Sequence, residues 1–370
     1  MRVLQVVALI SPDGCYGGPA RVALNQSAEL LKRGHEVTLA AATRGFRVPP
    51  TEVDGVPVRL FDVRTILPKS GFPGLGSPGL VKWFHVHGPS FDVVHIHFGR
   101  DLVVLPVAAS ARWHKIPYVL QTHGMVIPSR HPLARPLDAV WTRRLLRDAG
   151  AVLYLTDQEH VQLAAVARGS LHLVQLGNGV PNYPPAAFGT EPVEVLFVAR
   201  MHARKRPLMF VEMAKALLDE GVDAQFTLIG PDEGEGAAVA AATESEPRIS
   251  WEGALAPADV PRRMAAATIY VLPSEREPFP MTVLEAMAIG LPVVVAADCG
   301  LAPLVQSAHC GAVVDGEATA FADAVRSLLS DRPRRVEMGE LARKAAHNEF
   351  GMAAIGDRLT RVYDDVGHRR

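Results

Sequence analysis

Charge of one sign is what this sequence lacks most plainly: 38 lysines and arginines face 39 aspartates and glutamates, a net of −1 over 370 residues. A general nucleic-acid binder needs a surplus of cations facing phosphates, so nucleic acid is not expected among the partners. Cysteine is equally scarce. Cys15, Cys299 and Cys310 are widely spread and odd in number, which is neither a disulfide framework nor a zinc spacing and fits a reducing cytoplasm. No apolar run approaches the ~20 residues of a membrane span; the longest, around Leu102 to Ala111, is interrupted by Pro106. Met1-Arg-Val-Leu-Gln-Val-Val reads as a strand and not as a secretory leader. The expectation is a cytoplasmic protein, soluble or attached at the inner face of a membrane.

What is present points to order. Hydrophobic residues make up 48 % and charged residues 21 %, enough for two sizeable cores, and the length suggests two or three domains. Val3–Leu9, Glu36–Ala41, Asp92–Ile96, Tyr118–Gln121, Ala151–Leu155 and Leu171–Leu176 read as buried strands. Pro19–Arg33, Leu102–Ala111 and Leu137–Asp148 read as helices between them. Continuous apolar strands alternating with helices imply βαβ units and a parallel sheet.

The stretch from Gly177 to Gly189 is too rich in proline and glycine for either element and reads as a linker. The pattern then restarts with strands Val193–Val198, Ala224–Ile229, Ile269–Leu272 and Pro292–Val295 and helices Pro207–Glu220 and Met281–Ile289. The organisation expected is α/β: a Rossmann-like domain over 1–180, a linker over 181–192 and a second Rossmann-like domain over 193–350. A C-terminal helix over 351–370 is expected to return toward the first domain.

The chemistry concentrates in Pro273-Ser-Glu-Arg-Glu277-Pro-Phe-Pro-Met281-Thr-Val-Leu-Glu285. A strand ends at Leu272, a loop carries Glu277, and a helix opening near Met281 places Glu285 in its second turn. A helix that opens at the carboxyl end of a parallel strand is where doubly wound sheets bind ligands, and its unpaired N–H groups suit a diphosphate. Two carboxylates beside such a site must serve hydroxyls, and that division of labour predicts a nucleotide-sugar. A second segment, Arg200-Met-His-Ala-Arg-Lys205-Arg, puts two cations at a strand-to-helix turn, where they suit a departing diphosphate. Arg204 and Arg206 read as a solvated basic turn. No Asp-x-Asp follows a strand, so transfer without a metal is expected, and no cofactor beyond the donor is called for.

This segment resembles the glutamate-x7-glutamate motif of glycosyltransferase family 4, retaining enzymes of the GT-B fold. Here Glu277 and Glu285 stand eight positions apart, followed by Ala-Met-Ala-Ile-Gly-Leu-Pro-Val-Val. Both family glycines flanking the aromatic residue are prolines, Pro278 and Pro280, and Pro280 lacks an N–H that phosphate could have met. The resemblance implies two Rossmann-like domains facing a central cleft and transfer of a hexose-type sugar from a nucleotide diphosphate-sugar. The acceptor would be a glycan, a lipid-linked or a small molecule, and the anomeric configuration would be retained. It implies that Glu277 meets the donor sugar, that Glu285 meets the ribose, and that Arg200 and Lys205 meet the diphosphate. Met281, Thr282 and Phe279 would line the same site.

In the first half, Tyr16-Gly17-Gly18-Pro19 resembles the family's first glycine loop, and Thr122-His123-Gly124 its His-Gly beside the reacting sugar. Gly17, Gly18 and His123 are candidates accordingly, with His123 in a catalytic role. Asn178-Gly179-Val180 is similar to the family's hinge entry and makes Asn178 a candidate; a plain turn reads equally well. His95 and His97 share one face of a strand. His97 is expected to line the acceptor side, and His95 to be a satisfied interior residue; with no third ligand in view a zinc site is not expected. Arg130, Arg135, Arg143, Arg144 and Arg147, with Trp141, suit either a solvated face or a peripheral contact with anionic lipid. A dehydrogenase is excluded because Gly-x-Gly-x-x-Gly is missing after the first strand. A non-catalytic sugar-nucleotide-binding module, an inverting transferase and a phosphorylase remain as alternatives. The base, the sugar and the oligomeric state leave no trace in the sequence.

Overall fold

The computed structural model describes residues 1–12, 17–132, 134–186, 192–256 and 258–368. Two compact units result, one from Met1–Gly179 with Met352–Arg370 and one from Val180–Gly351. Of the stretch read as a linker, residues 187–191 lie outside the described residues, as do Cys15 and Tyr16.

The first unit is built on an eight-stranded sheet. From one edge to the other it runs Leu173–Gln175, Ala151–Tyr154, Tyr118–Gln121, Val93–His97, Arg2–Ile10, Glu36–Thr43, Val56–Asp62 and Glu52–Val53. Every pairing is parallel except the last, a short antiparallel edge. Helices cover both faces, so the inner strands are buried throughout: Val93–His97 and Tyr118–Gln121 expose nothing on either side. That two-sided burial is why their sequences run apolar without alternation.

One face of the first sheet is closed by the Met352–Gly367 helix. Ile355, Leu359, Val362, Tyr363 and Val366 recur at helical spacing and pack with Val3, Leu30, Val93, Val119 and Leu153. The helix read over Leu137–Asp148 starts earlier, at Ala134, and runs unbroken to Asp148 through a π-turn over Asp138–Thr142. Its widened turn starts at Asp138, whose carboxylate takes two hydrogen bonds from Arg100 at 2.7 and 2.9 Å.

The second unit carries a six-stranded, wholly parallel sheet in the order Ile249–Trp251, Gln225–Ile229, Glu194–Val198, Ile269–Leu272, Val293–Ala296, Gly311–Val314. In order of appearance this is 3-2-1-4-5-6, the doubly wound arrangement whose ligand crevice opens between strands 1 and 4. Helices Pro207–Asp219, Met281–Ile289, Ala318–Leu329 and Arg332–Phe350 are among those that flank it. Among the described residues no helix is long and apolar enough to cross a membrane.

Candidate functional site

The crevice of the second sheet falls where Glu194–Val198 pairs with Ile269–Leu272, Val195 opposite Ile269 and Leu196 opposite Tyr270. Two loops leave the carboxyl ends of these strands, one carrying Arg200 to Arg206 and the other Pro273 to Pro280. Glu275 N–H donates to the carbonyl of Arg204 at 3.0 Å and fastens one loop to the other. The chain then enters the Met281–Ile289 helix. Pro280 is its N-cap in an extended conformation, no side chain caps it, and no acid occupies its first turn. Its leading amides, those of Met281 and Thr282 included, keep their dipole uncompensated by any neighbouring carboxylate of that turn.

Beside this helix the expected cations and acid meet. Lys205 Nζ donates to Glu277 Oε2, with both side chains largely buried at 12 % and 13 % exposure. Arg204 adds a longer contact to the same oxygen at 3.7 Å. Burial pulls the Lys205 ammonium below its ordinary value while Glu277 pushes it back up. Arg200 faces Glu233 at 2.6 Å on a more open part of the loop. Arg206 pairs with Glu317 at 3.1 Å and with Glu275 at 3.7 Å. Arg204, 47 % exposed, fits the reading of a solvated basic turn, while Arg206 is more covered and pairs with two acids that are themselves exposed.

Glu285 lies half-buried in the second turn of the helix. The buried Tyr270 phenol is raised above its ordinary value, chiefly by burial, and the charges of Glu285 and Glu277 add to that rise. Tyr270 Oη lies 3.1 Å from the carbonyl of Val198 and 2.7 Å from Thr282 Oγ1. Phe279 departs from expectation. Its ring is 9 % exposed and packs edge-on against Phe350 at 5.4 Å, so it shapes the loop from beneath and offers no face to a ligand.

Residues without a sequence signal hold the Glu277 loop. Arg276 adopts a left-handed φ of 48°, and its N–H donates to Asp298 at 2.8 Å. Gly300 N–H donates to the carbonyl of Glu277 at 2.8 Å. A side chain at position 300 has no room, since a Cβ there lies 1.7 Å from the Pro278 carbonyl oxygen. Gly230, at φ 144°, is pressed in the same way against the carbonyl of Ala199, immediately before Arg200. Both glycines permit a close backbone approach that only glycine allows. The signal of Gly300 in the sequence is a lone glycine, which is indistinguishable from an ordinary turn.

In the first unit, Gly17 and Gly18 begin the Gly17–Lys32 helix, and Gly18 is exposed with open space where a Cβ would stand. The histidines form a row with nearly parallel rings, the centroids of His95 and His97 4.8 Å apart and those of His97 and His123 5.0 Å apart. His97 Nε2 faces Gln5 Oε1 at 2.8 Å, and its Nδ1 faces His123 Nε2 at 2.7 Å. Because a carboxamide oxygen only accepts, Nε2 of His97 carries the proton, its Nδ1 accepts, and His123 donates from Nε2. Gln5 Nε2 donates to Tyr363 Oη at 3.3 Å, so the phenol proton goes to His95 Nδ1 at 2.7 Å. Burial drives all three imidazoles toward the neutral form, His95 and His123 down to about 3 and His97 well below its ordinary value.

Two expectations are corrected here. His97 is 1 % exposed with both ring nitrogens engaged inside the unit, so it does not line a ligand surface. Asn178 is 5 % exposed, and its Oδ1 accepts from Gln121 Nε2 at 3.3 Å; its side chain turns inward and not toward an opening. His95 is interior as expected, but it is satisfied only at Nδ1, since its buried Nε2 has no hydrogen-bond partner among the described residues. A third imidazole, His123, does stand beside His95 and His97, hydrogen-bonded to the latter. Among the described residues no group of three or more potential ligands could hold a metal. In the basic segment, Arg143 donates to the carbonyl of Val166 and Arg147 to those of Ala167 and Arg168, finishing the Asp157–Ala167 helix.

Two doubly wound units, the second with paired acid and cation at its switch point beneath an uncapped helix, define the GT-B class of glycosyltransferases. Residues 17–179 match the family described as glycosyl transferase 4-like domain, and residues 184–345 match glycosyl transferases group 1. The chain belongs to the family-4-like GT-B glycosyltransferases. It is 26 % identical to the D-inositol 3-phosphate glycosyltransferase of Corynebacterium glutamicum, covering 99 % of this chain and 97 % of that one. Its fold is similar to sucrose-phosphate synthase from Thermosynechococcus elongatus, with a TM-score of 0.77 at 18 % identity and full coverage of both chains. It is also similar to Anabaena Alr3699/HepE in complex with UDP and glucose, with a TM-score of 0.76 at 18 % identity, covering 98 % of this chain and 99 % of that one.

Proposed function

We propose that this glycosyltransferase moves a hexose-type sugar from a nucleotide diphosphate-sugar to a glycan, lipid-linked or small-molecule acceptor, with retention of configuration and without a metal. The observation that carries this is the pairing of Lys205 with Glu277 beside the uncapped Met281–Ile289 helix. In the ligand-free protein the cation and the acid neutralise each other. With donor bound, each finds its own partner: Lys205 and Arg200 the diphosphate, Glu277 a sugar hydroxyl. Glu285 takes the ribose, and the amides of Met281 and Thr282 with the Thr282 hydroxyl take phosphate oxygens. As the sugar–phosphate bond breaks, negative charge gathers on the departing diphosphate, and the fixed cations and helix amides stabilise it. From the first unit, His123 is assigned to the reacting sugar, and Gly17 and Gly18 to the acceptor side.

A nucleotide donor accords with the solved complex of Alr3699/HepE with UDP and glucose. The test is a thermal-shift panel of UDP, GDP, ADP and their sugars, because a ligand at a hundred times its Kd adds ~2.7 kcal/mol to stability. It is followed by NMR of the product anomer and assay in excess EDTA. Binding of a nucleoside diphosphate without turnover of any donor would leave a non-catalytic binding module; an inverted anomer would remove the retaining mechanism, and loss of activity in EDTA the metal independence.

A further inference from the structure

Thr122, His123, Gly124 and Met125 form a tight turn in the first unit, closed by the Met125 N–H donating to the Thr122 carbonyl at 2.8 Å. Its central residues both have positive φ, 50° at His123 and 72° at Gly124. Glycine takes that conformation freely; a histidine does so at a cost of order 1–2 kcal/mol. Something must hold His123 there, and Glu159 is placed to do so. The carboxylate of Glu159 is 2 % exposed. Its Oε1 accepts from the Thr122 hydroxyl at 2.5 Å and from the Gly124 N–H at 2.5 Å, bracketing His123 on both sides. Its Oε2 accepts from the Leu155 N–H at 2.7 Å, at the end of the neighbouring strand.

Local sequence explains how Glu159 comes to stand there. Thr156 is the N-cap of the Asp157–Ala167 helix and accepts from the Glu159 N–H at 3.3 Å. Thr-x-x-Glu is the capping-box pattern, in which the acid ordinarily turns back to the N-cap amide. Here it reaches one residue further back, to Leu155, and spends its other oxygen on the turn. The helix N-terminus in which it sits favours its negative charge.

We propose that Glu159 is a positioning residue for sugar transfer, fixing the backbone of His123 through the Thr122 hydroxyl and the Gly124 amide. This rests on the assignment of His123 to the reacting sugar made above. An amide at position 159 supplies only one accepting oxygen and turns an NH2 toward donors, so Glu159→Gln releases one side of the clamp with little change in volume.

The experiment measures nucleoside diphosphate release from UDP-glucose, GDP-mannose and ADP-glucose by the wild type, Glu159→Gln, His123→Ala and the double variant. Alongside it, the amide NMR signal of Gly124 is followed in the wild type and in Glu159→Gln. Glu159→Gln is expected to lower kcat ~10- to 100-fold, as misplacement of about an ångström does, with the donor KM unchanged, and to move the Gly124 signal. The double variant is expected to be no slower than His123→Ala alone, because Glu159 acts through His123. A wild-type kcat in Glu159→Gln, or fully multiplicative losses in the double variant while His123→Ala is impaired, would overturn this proposal. No release from any donor, or an unimpaired His123→Ala, would instead overturn the assignment on which it rests, and the role of Glu159 with it.

Discussion

Adding a single methyl group at Gly300 tests how the donor loop is built. The backbone there is not in the left-handed region, so alanine meets no conformational objection. Its obstacle is space. The new Cβ lies 1.7 Å from the Pro278 carbonyl oxygen and 2.6 Å from its carbon, whereas real Cβ contacts essentially never fall under 3.0 Å. The two backbones must therefore separate by about 1.3 Å, the shortfall between those distances. A backbone obstacle cannot rotate aside as a side chain does. The displaced peptide adjoins Glu277, whose own carbonyl holds the Gly300 N–H. Misplacement of a reacting group by about an ångström costs ~100-fold in rate, so Gly300→Ala is expected to lower kcat by about that factor. Steady-state release of nucleoside diphosphate from the donor is the assay. Gly367→Ala, where nothing lies within 4 Å of the added carbon, serves as the control. A kcat for Gly300→Ala within twofold of wild type would refute the claim that this loop must sit where it does.

Lys205→Met should lower kcat ~10- to 100-fold, the worth of one charge-assisted hydrogen bond of ~1.5–3 kcal/mol; unchanged steady-state kinetics would remove the lysine from the mechanism. Tyr363→Phe takes one hydroxyl from between Gln5 and His95, and urea unfolding should show a loss of ~1–3 kcal/mol, the cost of stranding buried partners. An unmoved urea midpoint would mean the hydroxyl contributes nothing. Stability should also fall with acid. An unfolded histidine protonates near pH ~6.5, while His95 in the fold protonates only at about 3. Between those values the unfolded chain binds more protons, so each step downward in pH favours unfolding. From pH 7 to pH 5 His95 alone accounts for ~2 kcal/mol, and His97 and His123 act in the same direction. Urea midpoints at pH 7, 6 and 5 check this; a flat profile would contradict the burial of neutral imidazoles.

Legibility in the sequence followed the range of the interactions involved. The Met281–Ile289 helix and the Ile269–Leu272 strand have the boundaries that their residues suggest, because local features set them. Pro280 starts the helix and Gly290, at φ 98°, ends it. The spacing of Glu277 and Glu285 was readable for the same reason. His97 and Asn178 were misplaced because their surroundings are assembled from afar. A period-two pattern shows that His95 and His97 share a face, but not that the Met352–Gly367 helix covers it with Tyr363. Nor does Asn178 reveal that Gln121 awaits it 57 positions earlier. Phe279 looked like a ligand contact because its loop carries the chemistry, and the ring of Phe350, which occupies it, is 71 positions away. Asp298 and Gly300 hold the Glu277 loop from a segment 22 and 23 positions further on, the first with its carboxylate on the Arg276 N–H and the second by having no side chain, and nothing local to either residue marks that role.

The hydrogen bond from Gln5 to Tyr363 joins residues 358 positions apart. As the chain emerges during synthesis, the opening strand finds its sheet neighbours early, but Gln5 must wait until almost everything else has been made before Tyr363 exists. Residues 180–351 can meanwhile settle around their own sheet without that last helix. Until the final helix arrives, Val3, Leu30 and Val93 remain uncovered on one side. A ribosome stalled or a message truncated just short of Met352 would therefore release a protein with a finished donor half and a sticky, half-built beginning, a substrate for chaperones and proteases.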